Sequence, residues 1–244
     1  MGLYFRVGAA TISGSRHANQ DRLVNGAGEK EGRMLFAVFD GVTNSATIKG
    51  DGAVAAEAAM NLLRDSDPGT KLSDAVREVH RRMLEMKRYV PIIGETTVVA
   101  ARITGNMVEI ANVGDSPAHL LRAGKMRRLY TPDLGHFGGL VQALGFDESM
   151  KVHGRSMKII PDDVIVLASD GLMKSIKSYI WPSEKNMGKY VTRTILTYRE
   201  IMNAIESSSH MDAAAERLLK EAAKKRPDID DDRTVIVIRA LRAD

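Results

Sequence analysis

Strand-like and helix-like patterns occur in blocks along this chain rather than in alternation. Apolar runs indicate early strands at residues 4–13, 22–25 and 34–39, and three- and four-residue spacing indicates helices at 49–64 and 72–88. Further strands are predicted at 96–103, 107–113, 118–122 and 126–130, followed by a strand at 164–168, helices at 198–207 and 211–225, and a strand at 234–241. Such blocks favour segregated α+β layers over βαβ units, so we expect an antiparallel sandwich flanked by helices.

Local signals refine this outline at three places. Glycine-containing turns at 104–106 and 123–125 are typical of β-hairpins. Ser73 is predicted to cap the second helix. Residues 174–188, which include Trp181 and Pro182, have an irregular pattern and are predicted to form a surface insertion.

Composition narrows the class of protein. The chain has 244 residues, which we interpret as one domain spanning 1–244, and 44% hydrophobic residues, enough for a core. The net charge of +4 comes from scattered lysines and arginines without interleaved aromatics, so nucleic acid is not an expected partner. The absence of cysteine excludes disulfides and thiol nucleophiles and is compatible with the cytoplasm. No signal peptide or membrane helix is evident, so we expect no membrane partner. We also expect the protein to be a monomer.

Four aspartates lie at the ends of apolar runs. Asp40, Asp115 and Asp170 each follow a predicted strand, whereas Asp231 precedes the last one. A carboxylate at a strand end is held rigidly and still reaches solvent, and several such ends together make an oxygen-rich pocket for a hard divalent cation. For any single aspartate next to glycine, ordinary turn chemistry is the competing interpretation.

A polar loop, RHANQDR at 16–22, follows the first predicted strand. It places Arg16 near Asn19, Gln20 and Asp21. A guanidinium group matches the geometry of a phosphoryl group, although a surface arginine in a polar loop is often only solvated.

Seven short motifs occur in a fixed order: RHANQDR, FAVFDG, GETT (94–97), ANVGDS (111–116), ALG (143–145), LASDGL (167–172) and DDRTVIV (231–237). Each motif alone is weak, but the ordered set resembles the metal-dependent protein serine/threonine phosphatases of the PP2C (PPM) family, in particular bacterial and archaeal members. The resemblance spans about residues 6–240. It implies a four-layer α-β-β-α sandwich with two central antiparallel sheets and a site for two Mn²⁺ or Mg²⁺ ions at one end.

The resemblance also implies residue roles. Asp40 matches the carboxylate that bridges both metals, and the Gly41 carbonyl matches a ligand of the second metal. The ligands of the first metal are matched by Asp170 and Asp231, and Asp115 matches a ligand of a looser third ion. Arg16 matches the phosphate-binding arginine, which with Asp40, Asp170 and Asp231 forms the expected catalytic set.

The oxygen ligands suit these ions, which lower the pKa of bound water so that hydroxide can attack phosphorus without a protein nucleophile. The implied activity is hydrolysis of phosphoserine and phosphothreonine in proteins, with a cognate cytoplasmic kinase as a possible counterpart.

The chain departs from the family pattern at three positions. Gln20 occupies the place of a glutamate that contacts the second metal through water, beside the acid Asp21, so we expect weaker binding of that metal. Val42 replaces a histidine proposed as the general acid, which leaves water or another residue, such as His136, to protonate the leaving group. Asp232 stands in for an asparagine after Asp231, while the acids at 228 and 230 are interpreted as a solvated turn.

Two other functions compete with this interpretation. VFDGVTNS (38–45) is similar to part of the haloacid-dehalogenase signature, but Val38 occupies the position of the nucleophilic aspartate. A catalytically impaired PP2C-like module that binds a partner is favoured by Gln20 and Val42. Retention of the metal-ligand aspartates and Arg16 argues against such a pseudophosphatase.

Overall fold

The computed structural model describes residues 2–15, 18–26, 32–42, 50–135, 139–173, 175–180, 189–227 and 230–243. The first half contains strands β1 to β3 and two helices, namely β1 (Leu3–Ile12), β2 (Arg22–Asn25), β3 (Arg33–Phe39), α1 (Gly52–Arg64) and α2 (Leu72–Lys87). A block of strands follows, comprising β4 (Val98–Thr104), β5 (Met107–Val113), β6 (Ala118–Arg122), β7 (Lys125–Arg128), β8 (His153–Lys158) and β9 (Val164–Ala168). The last elements are α3 (Asp170–Met173), β10 (Ser175–Ile180), β11 (Lys189–Thr194), α4 (Tyr198–Glu206), α5 (Met211–Lys225) and β12 (Arg233–Arg242).

Two five-stranded antiparallel sheets form the centre of the fold. One has the strand order β1-β12-β9-β6-β7 and the other the order β2-β3-β4-β5-β8. Side chains from both sheets, including Phe36, Ile110 and Ile236, form a core between them. The outer face of the β3 sheet packs against α1 and α2, and the outer face of the β12 sheet packs against α4 and α5. The predicted α-β-β-α sandwich is therefore confirmed.

Both predicted hairpin turns are present. The β6–β7 turn places Ala123 and Gly124 at φ values of 50° and 69° between the paired residues Arg122 and Lys125. Positive φ at both central positions defines a type I′ turn, whose twist matches that of the flanking strands. Gly105 has φ 57° in the two-residue turn that joins β4 to β5.

Three local predictions were wrong. Ser73 lies inside α2 rather than capping it, and the N-cap Lys71 makes no side-chain cap hydrogen bond. Burial of Leu72 in the core explains why the helix begins at Leu72, two residues before the start that a Ser73 cap would give. The strand β8 was not predicted, because HGRSMK is mostly exposed and has few apolar residues. The segment predicted to be irregular contains β10, which pairs with β11 as an antiparallel hairpin, whereas Trp181 and Pro182 lie outside the described residues.

None of the helices in the described part of the chain is long and apolar enough to cross a membrane.

Close packing of α5 onto β1 depends on Gly8. A Cβ at this position would lie 2.0 Å from the carbonyl carbon of Met211 and 2.3 Å from the amide nitrogen of Asp212. These are backbone atoms at the start of α5, so they cannot move aside as a flexible side chain would.

We therefore expect Gly8→Ala to displace the helix and to lower the free energy of unfolding by about 1–3 kcal/mol. Denaturant unfolding measures this effect. Gly139→Ala is the control, because a Cβ there meets no heavy atom of the described residues within 4 Å, and equal stability of the two variants would contradict the prediction.

Candidate active site at one end of the sandwich

The four strand-end aspartates converge on one end of the two sheets. Asp40 directly follows β3 and Asp115 follows β5, whose ends lie together because both strands flank β4 in antiparallel register. Asp170 follows β9, and Asp231 precedes β12, which pairs with β9 at the same end. The negative charges of Asp115, Asp170 and Asp231 all act on Asp40. The predicted convergence of acids from both sheets is therefore present.

Asp40 has a strongly perturbed carboxyl group. Burial raises its pKa well above the ordinary value, and the charges of Asp21, Asp170, Asp231 and Asp115 raise it further. Each neighbouring carboxylate disfavours a negative charge on Asp40, as does the loss of solvation. A divalent cation in this position would reverse both effects.

The GETT motif fixes the backbone of Asp40. This motif contributes to the family resemblance, but no role was predicted for its residues. Thr97 donates its amide to the Asp40 carbonyl at 2.9 Å, and the Thr96 hydroxyl donates to the same oxygen at 2.9 Å. The Asp40 amide in turn donates to the Thr97 hydroxyl at 3.3 Å. That hydroxyl also pairs with Ser116 at 2.7 Å, which links the turns that carry Asp40 and Asp115.

Gly41 is needed because three backbone segments meet around it. A Cβ there would lie 2.5 Å from the Gly52 carbonyl oxygen and 2.8 Å from that of Gln20. Gly41 faces Thr96 in an isolated antiparallel bridge. The flanking hydrogen bonds run from Thr97 N to Asp40 O and from Val42 N to Glu95 O. In a pair of this kind the central carbonyl points away from the partner strand, which leaves it suited to bind a cation.

Asp21 is buried, with only 4% of the residue exposed, and in the described part of the chain its carboxyl oxygens have only the nearby hydroxyls of Thr234 and Ser169, without a well-formed hydrogen bond. Burial raises its pKa to about 7, and the nearby hydroxyls of Thr234 and Ser169 lower it in part. The charges of Asp232 and Asp231 raise it. An orphaned buried carboxylate beside the acid cluster fits a site that is completed by cations or by their bound water.

Asp232 positions the loop that contains Arg16. Its two carboxyl oxygens accept hydrogen bonds from the Gly14 amide at 2.8 Å and from the Gln20 amide at 2.7 Å. The hydroxyl of Ser15 donates to Asp230 at 2.8 Å in an exposed hydrogen bond, so Asp230, predicted to lie in a solvated turn, also contacts this loop. Arg16 itself, Asp228 and His136 lie outside the described residues.

A further acid holds the turn that carries Asp115. Asp133 accepts from the Gly114 amide at 2.9 Å through one carboxyl oxygen and pairs with Nε2 of His153 at 2.8 Å through the other. On the opposite side, Arg128 donates to the Asp115 carbonyl at 2.9 Å. These supporting residues were not predicted, because their partners are distant in sequence and carry no motif.

The donor set fits hard divalent cations, although the side chains are not arranged as a finished ligand cage. Among the residues that the structure describes, no group of three or more His, Cys, Asp or Glu side chains is arranged to hold a metal ion as it stands. The carboxylates nevertheless share one end of the fold, provide only oxygen donors, and include the orphaned Asp21. These properties suit Mg²⁺ or Mn²⁺, which accept oxygen ligands together with several waters.

The fold and the acid cluster define an α-β-β-α sandwich with an oxygen-rich site at one end. Residues 8–226 match the family described as Protein phosphatase 2C, and the chain belongs to this family. The resemblance drawn from the motifs is thus confirmed.

Individual relatives agree with this assignment. Probable protein phosphatase 2C 58 of Arabidopsis thaliana is 27% identical, over 92% of this chain and 84% of that protein. Serine/threonine phosphatase stp of Listeria welshimeri is 27% identical, over 66% of this chain and 75% of that protein. In fold, the chain is similar to the catalytic domain of the serine/threonine protein phosphatase PstP, solved in complex with two manganese ions. The TM-score is 0.72 at 21% identity, with 98% of this chain and 100% of that one covered.

Replacement of Asp21 by asparagine tests whether the acid cluster is strained without metal. The pKa of Asp21 is raised from its ordinary value of 3.8 to about 7, so the folded state is destabilised as pH rises through this window. In EDTA, the free energy of unfolding of the natural protein should therefore fall from pH 5 to pH 8 by about 2–3 kcal/mol more than that of Asp21→Asn. The midpoint of thermal unfolding at the two pH values measures this difference, and addition of Mn²⁺ should reduce it.

Asp163→Asn is the matched control for this measurement. Asp163 is also buried, but Arg122 pairs with both of its carboxyl oxygens, at 2.7 and 2.6 Å. Its replacement should lower stability at both pH values. A loss of stability in Asp21→Asn that is equal at pH 5 and pH 8 would contradict the prediction.

Proposed function

We propose that this protein is a metal-dependent phosphatase that hydrolyses phosphoserine and phosphothreonine in proteins. The observation that carries the proposal is the set of charges around Asp40, where Asp21, Asp170, Asp231 and Asp115 all raise the pKa of one buried carboxyl. Such a cluster is costly unless cations neutralise it. Membership of the protein phosphatase 2C family and a neighbour in fold with two bound manganese ions support the same site.

The residues have distinct proposed roles. Asp40 would bridge two Mn²⁺ or Mg²⁺ ions, with the Gly41 carbonyl at the second ion and Asp170 and Asp231 at the first. Asp115 would help to hold a third. When bound, the ions lower the pKa of water and stabilise negative charge on phosphoryl oxygens.

The chain itself supplies the framework. Thr96 and Thr97 hold Asp40 from the β4 side, and Asp232 holds Gly14 and Gln20, which lie on either side of Arg16 in the sequence. Arg16 is suited to bind two phosphoryl oxygens through its planar guanidinium group. Gln20 and Asp21 follow in the same loop and would contact metal-bound water.

Val42 cannot donate a proton to the departing serine or threonine oxygen. Its side chain is apolar, and its amide donates to the Glu95 carbonyl at 2.9 Å, which fixes the backbone beside Gly41. We propose that solvent water protonates the leaving group. The need for such help is greatest with poor leaving groups, so alkyl phosphates should depend on it more than aryl phosphates.

We further propose that residues 1–244 act as one cytoplasmic domain, monomeric, on proteins phosphorylated by a cognate kinase. The alternative function, a pseudophosphatase that only binds a partner, would keep the fold but not need the charged cluster. Hydrolysis assays with Mn²⁺ separate the two functions, because only the enzyme turns over phosphopeptides.

Removal of one proposed metal ligand should abolish most activity. Asp170→Asn deletes a charge that acts on Asp40 and removes a ligand of the first metal. We expect its kcat/KM for a phosphoserine peptide with Mn²⁺ to fall by roughly 100-fold or more. Asp74→Asn is the control, because Asp74 is an exposed residue in the first turn of α2. Unchanged turnover in Asp170→Asn would show that the proposed site is wrong, and absence of turnover in the natural protein would favour the pseudophosphatase.

Restoration of the family's glutamate should strengthen the second metal site. Gln20→Glu adds one negative charge beside Asp21, so we expect about a tenfold tighter second Mn²⁺ site in calorimetric titration. Asn203→Asp adds the same charge on the exposed surface of α4 and should leave metal binding unchanged. Two equally tight Mn²⁺ sites in the natural protein would contradict the idea that Gln20 weakens one of them.

A further inference from the structure

Arg128 is a cation at the rim of the acid cluster that neither the motifs nor the proposed mechanism uses. It is the last residue of β7, and its side chain crosses to the turn after β5, where Nη2 donates to the Asp115 carbonyl at 2.9 Å. Partial burial lowers the pKa of its guanidinium group, and Tyr198, Asp115 and Asp170 oppose that shift. Arg128 therefore lies where two of the proposed ligand-bearing turns meet.

The register of β7 shows which side of the sheet Arg128 occupies. Arg128 is paired with His119, whose ring packs edge-on against Tyr198 at the start of α4, with ring centroids 5.2 Å apart. Tyr198 is also among the groups that act on Arg128. Directly paired residues point to the same face of a sheet, so Arg128 lies on the α4 side of the sheet. Its neighbour Arg127 is paired with Leu120 of the inter-sheet core and thus lies on the opposite face.

Arg128 is placed beside the centre of the site rather than in it. Asp115 and Asp170 act both on Asp40 and on Arg128, and the hydrogen bond to the Asp115 carbonyl places Arg128 against the turn that carries Asp115. A substrate whose phosphoryl group reaches Asp40 would therefore bring the residues next to the phosphorylated one past Arg128. The subsite follows from the proposed function, because it assumes that a phosphoryl group is bound at Asp40.

The chemistry of Arg128 points to an acidic ligand. A guanidinium group has five N–H donors, and the hydrogen bond that Arg128 makes within the described part of the chain goes to a neutral carbonyl. Its side chain is exposed, so the remaining donors can reach a bound peptide. A carboxylate of the substrate could accept two parallel hydrogen bonds from this group, the geometry in which arginine binds carboxylates most strongly.

We propose that Arg128 forms a subsite for an acidic residue adjacent to the phosphoserine or phosphothreonine of the substrate, so that the enzyme prefers phosphopeptides with aspartate or glutamate next to the phosphorylated position. Arg128 is in this view a specificity-determining residue. The same cation offsets part of the negative charge that an acidic peptide meets as it approaches Asp115 and Asp170.

Three phosphoserine peptides that differ only in the residues flanking phosphoserine, namely glutamate, alanine or lysine, provide the test. The measured quantity is the ratio of kcat/KM for the glutamate peptide to that for the alanine peptide, with Mn²⁺ at low ionic strength. We expect a ratio of about ten for the natural protein, because one charge-assisted pair in a partly exposed site changes kcat/KM by about that factor. High salt should lower the ratio. The lysine peptide should be the poorest of the three substrates.

Variants of the two neighbouring arginines separate a subsite from a structural role. In Arg128→Gln the ratio should fall to about one, and in Arg128→Lys it should be intermediate, because lysine keeps the charge but loses the planar fork. Arg127→Gln, which removes the same charge from the opposite face of β7, should keep the ratio of the natural protein. A merely structural role of Arg128 would lower the kcat/KM of all three peptides by one common factor and leave the ratio unchanged. That result, or a ratio of one in the natural protein, would overturn the subsite.

Hydrolysis of an aryl phosphate by the natural protein distinguishes failure of the subsite from failure of the proposed function. If the natural protein hydrolyses the aryl phosphate and the peptides but shows no preference among them, the subsite is wrong and the phosphatase function remains. If nothing is hydrolysed, the phosphatase function is wrong. Fluorescence anisotropy with the same peptides, now labelled, then tests the subsite. If the subsite is right, the glutamate peptide binds more tightly than the alanine peptide, and Arg128→Gln removes this difference.

Discussion

Crowding of carboxylates at one end of the sandwich is the constraint on which the rest of the structure depends. Asp40 is surrounded by acids that repel its charge, and Asp21 lies buried among them with a raised pKa. Acids in such proximity would separate if they were carried by flexible loops. Here they are fixed to the ends of strands from two sheets, whose shared core of large apolar side chains holds the ends at a set distance. The free energy of packing the sandwich thus opposes the repulsion in its active end.

Close backbone contacts add to the side-chain hydrogen bonds that hold the parts of the site together. A Cβ on Gly171 would lie 2.1 Å from the Asp232 carbonyl oxygen, so the turn that carries Asp170 and the segment that carries Asp231 touch through their main chains. Gly41 makes similarly close approaches to Gly52 and Gln20. Because these backbone segments are in contact, the aspartate side chains that they carry have little freedom to move apart. Glycine at these positions therefore serves the geometry of the acids as much as the local turns.

The bounds of strands and helices could be predicted best where the apolar periodicity of a segment determines its structure by itself. Strands β5 and β6 and helix α5 were predicted with their observed bounds because their apolar periodicity is uninterrupted. The convergence of the strand-end acids could also be predicted, since each acid directly adjoins a readable strand.

Features that depend on distant partners could not be predicted. Strand β8 is ordered by pairing with β5 rather than by its own exposed residues. Asp232 and Asp133 have their roles because of amides far away in sequence, at Gly14, Gln20 and Gly114. The start of α2 is set by the burial of Leu72, which outweighed the preference of Ser73 for a cap position. Tertiary contacts determine all of these features, and a single sequence does not display them.

In the proposed function, the replacement of the family's glutamate by Gln20 tunes the charge of the site. Gln20 removes one negative charge from a loop whose next residue, Asp21, is already a buried acid with a raised pKa. Arg128 places a positive charge beside Asp115 and Asp170. Both residues would reduce the repulsion that an anionic phosphopeptide experiences, and Gln20 would also reduce the attraction for a second cation. In the proposed function, the buried acid Asp21 stays because bound cations or their water would relieve the repulsion that Asp231 and Asp232 exert on it.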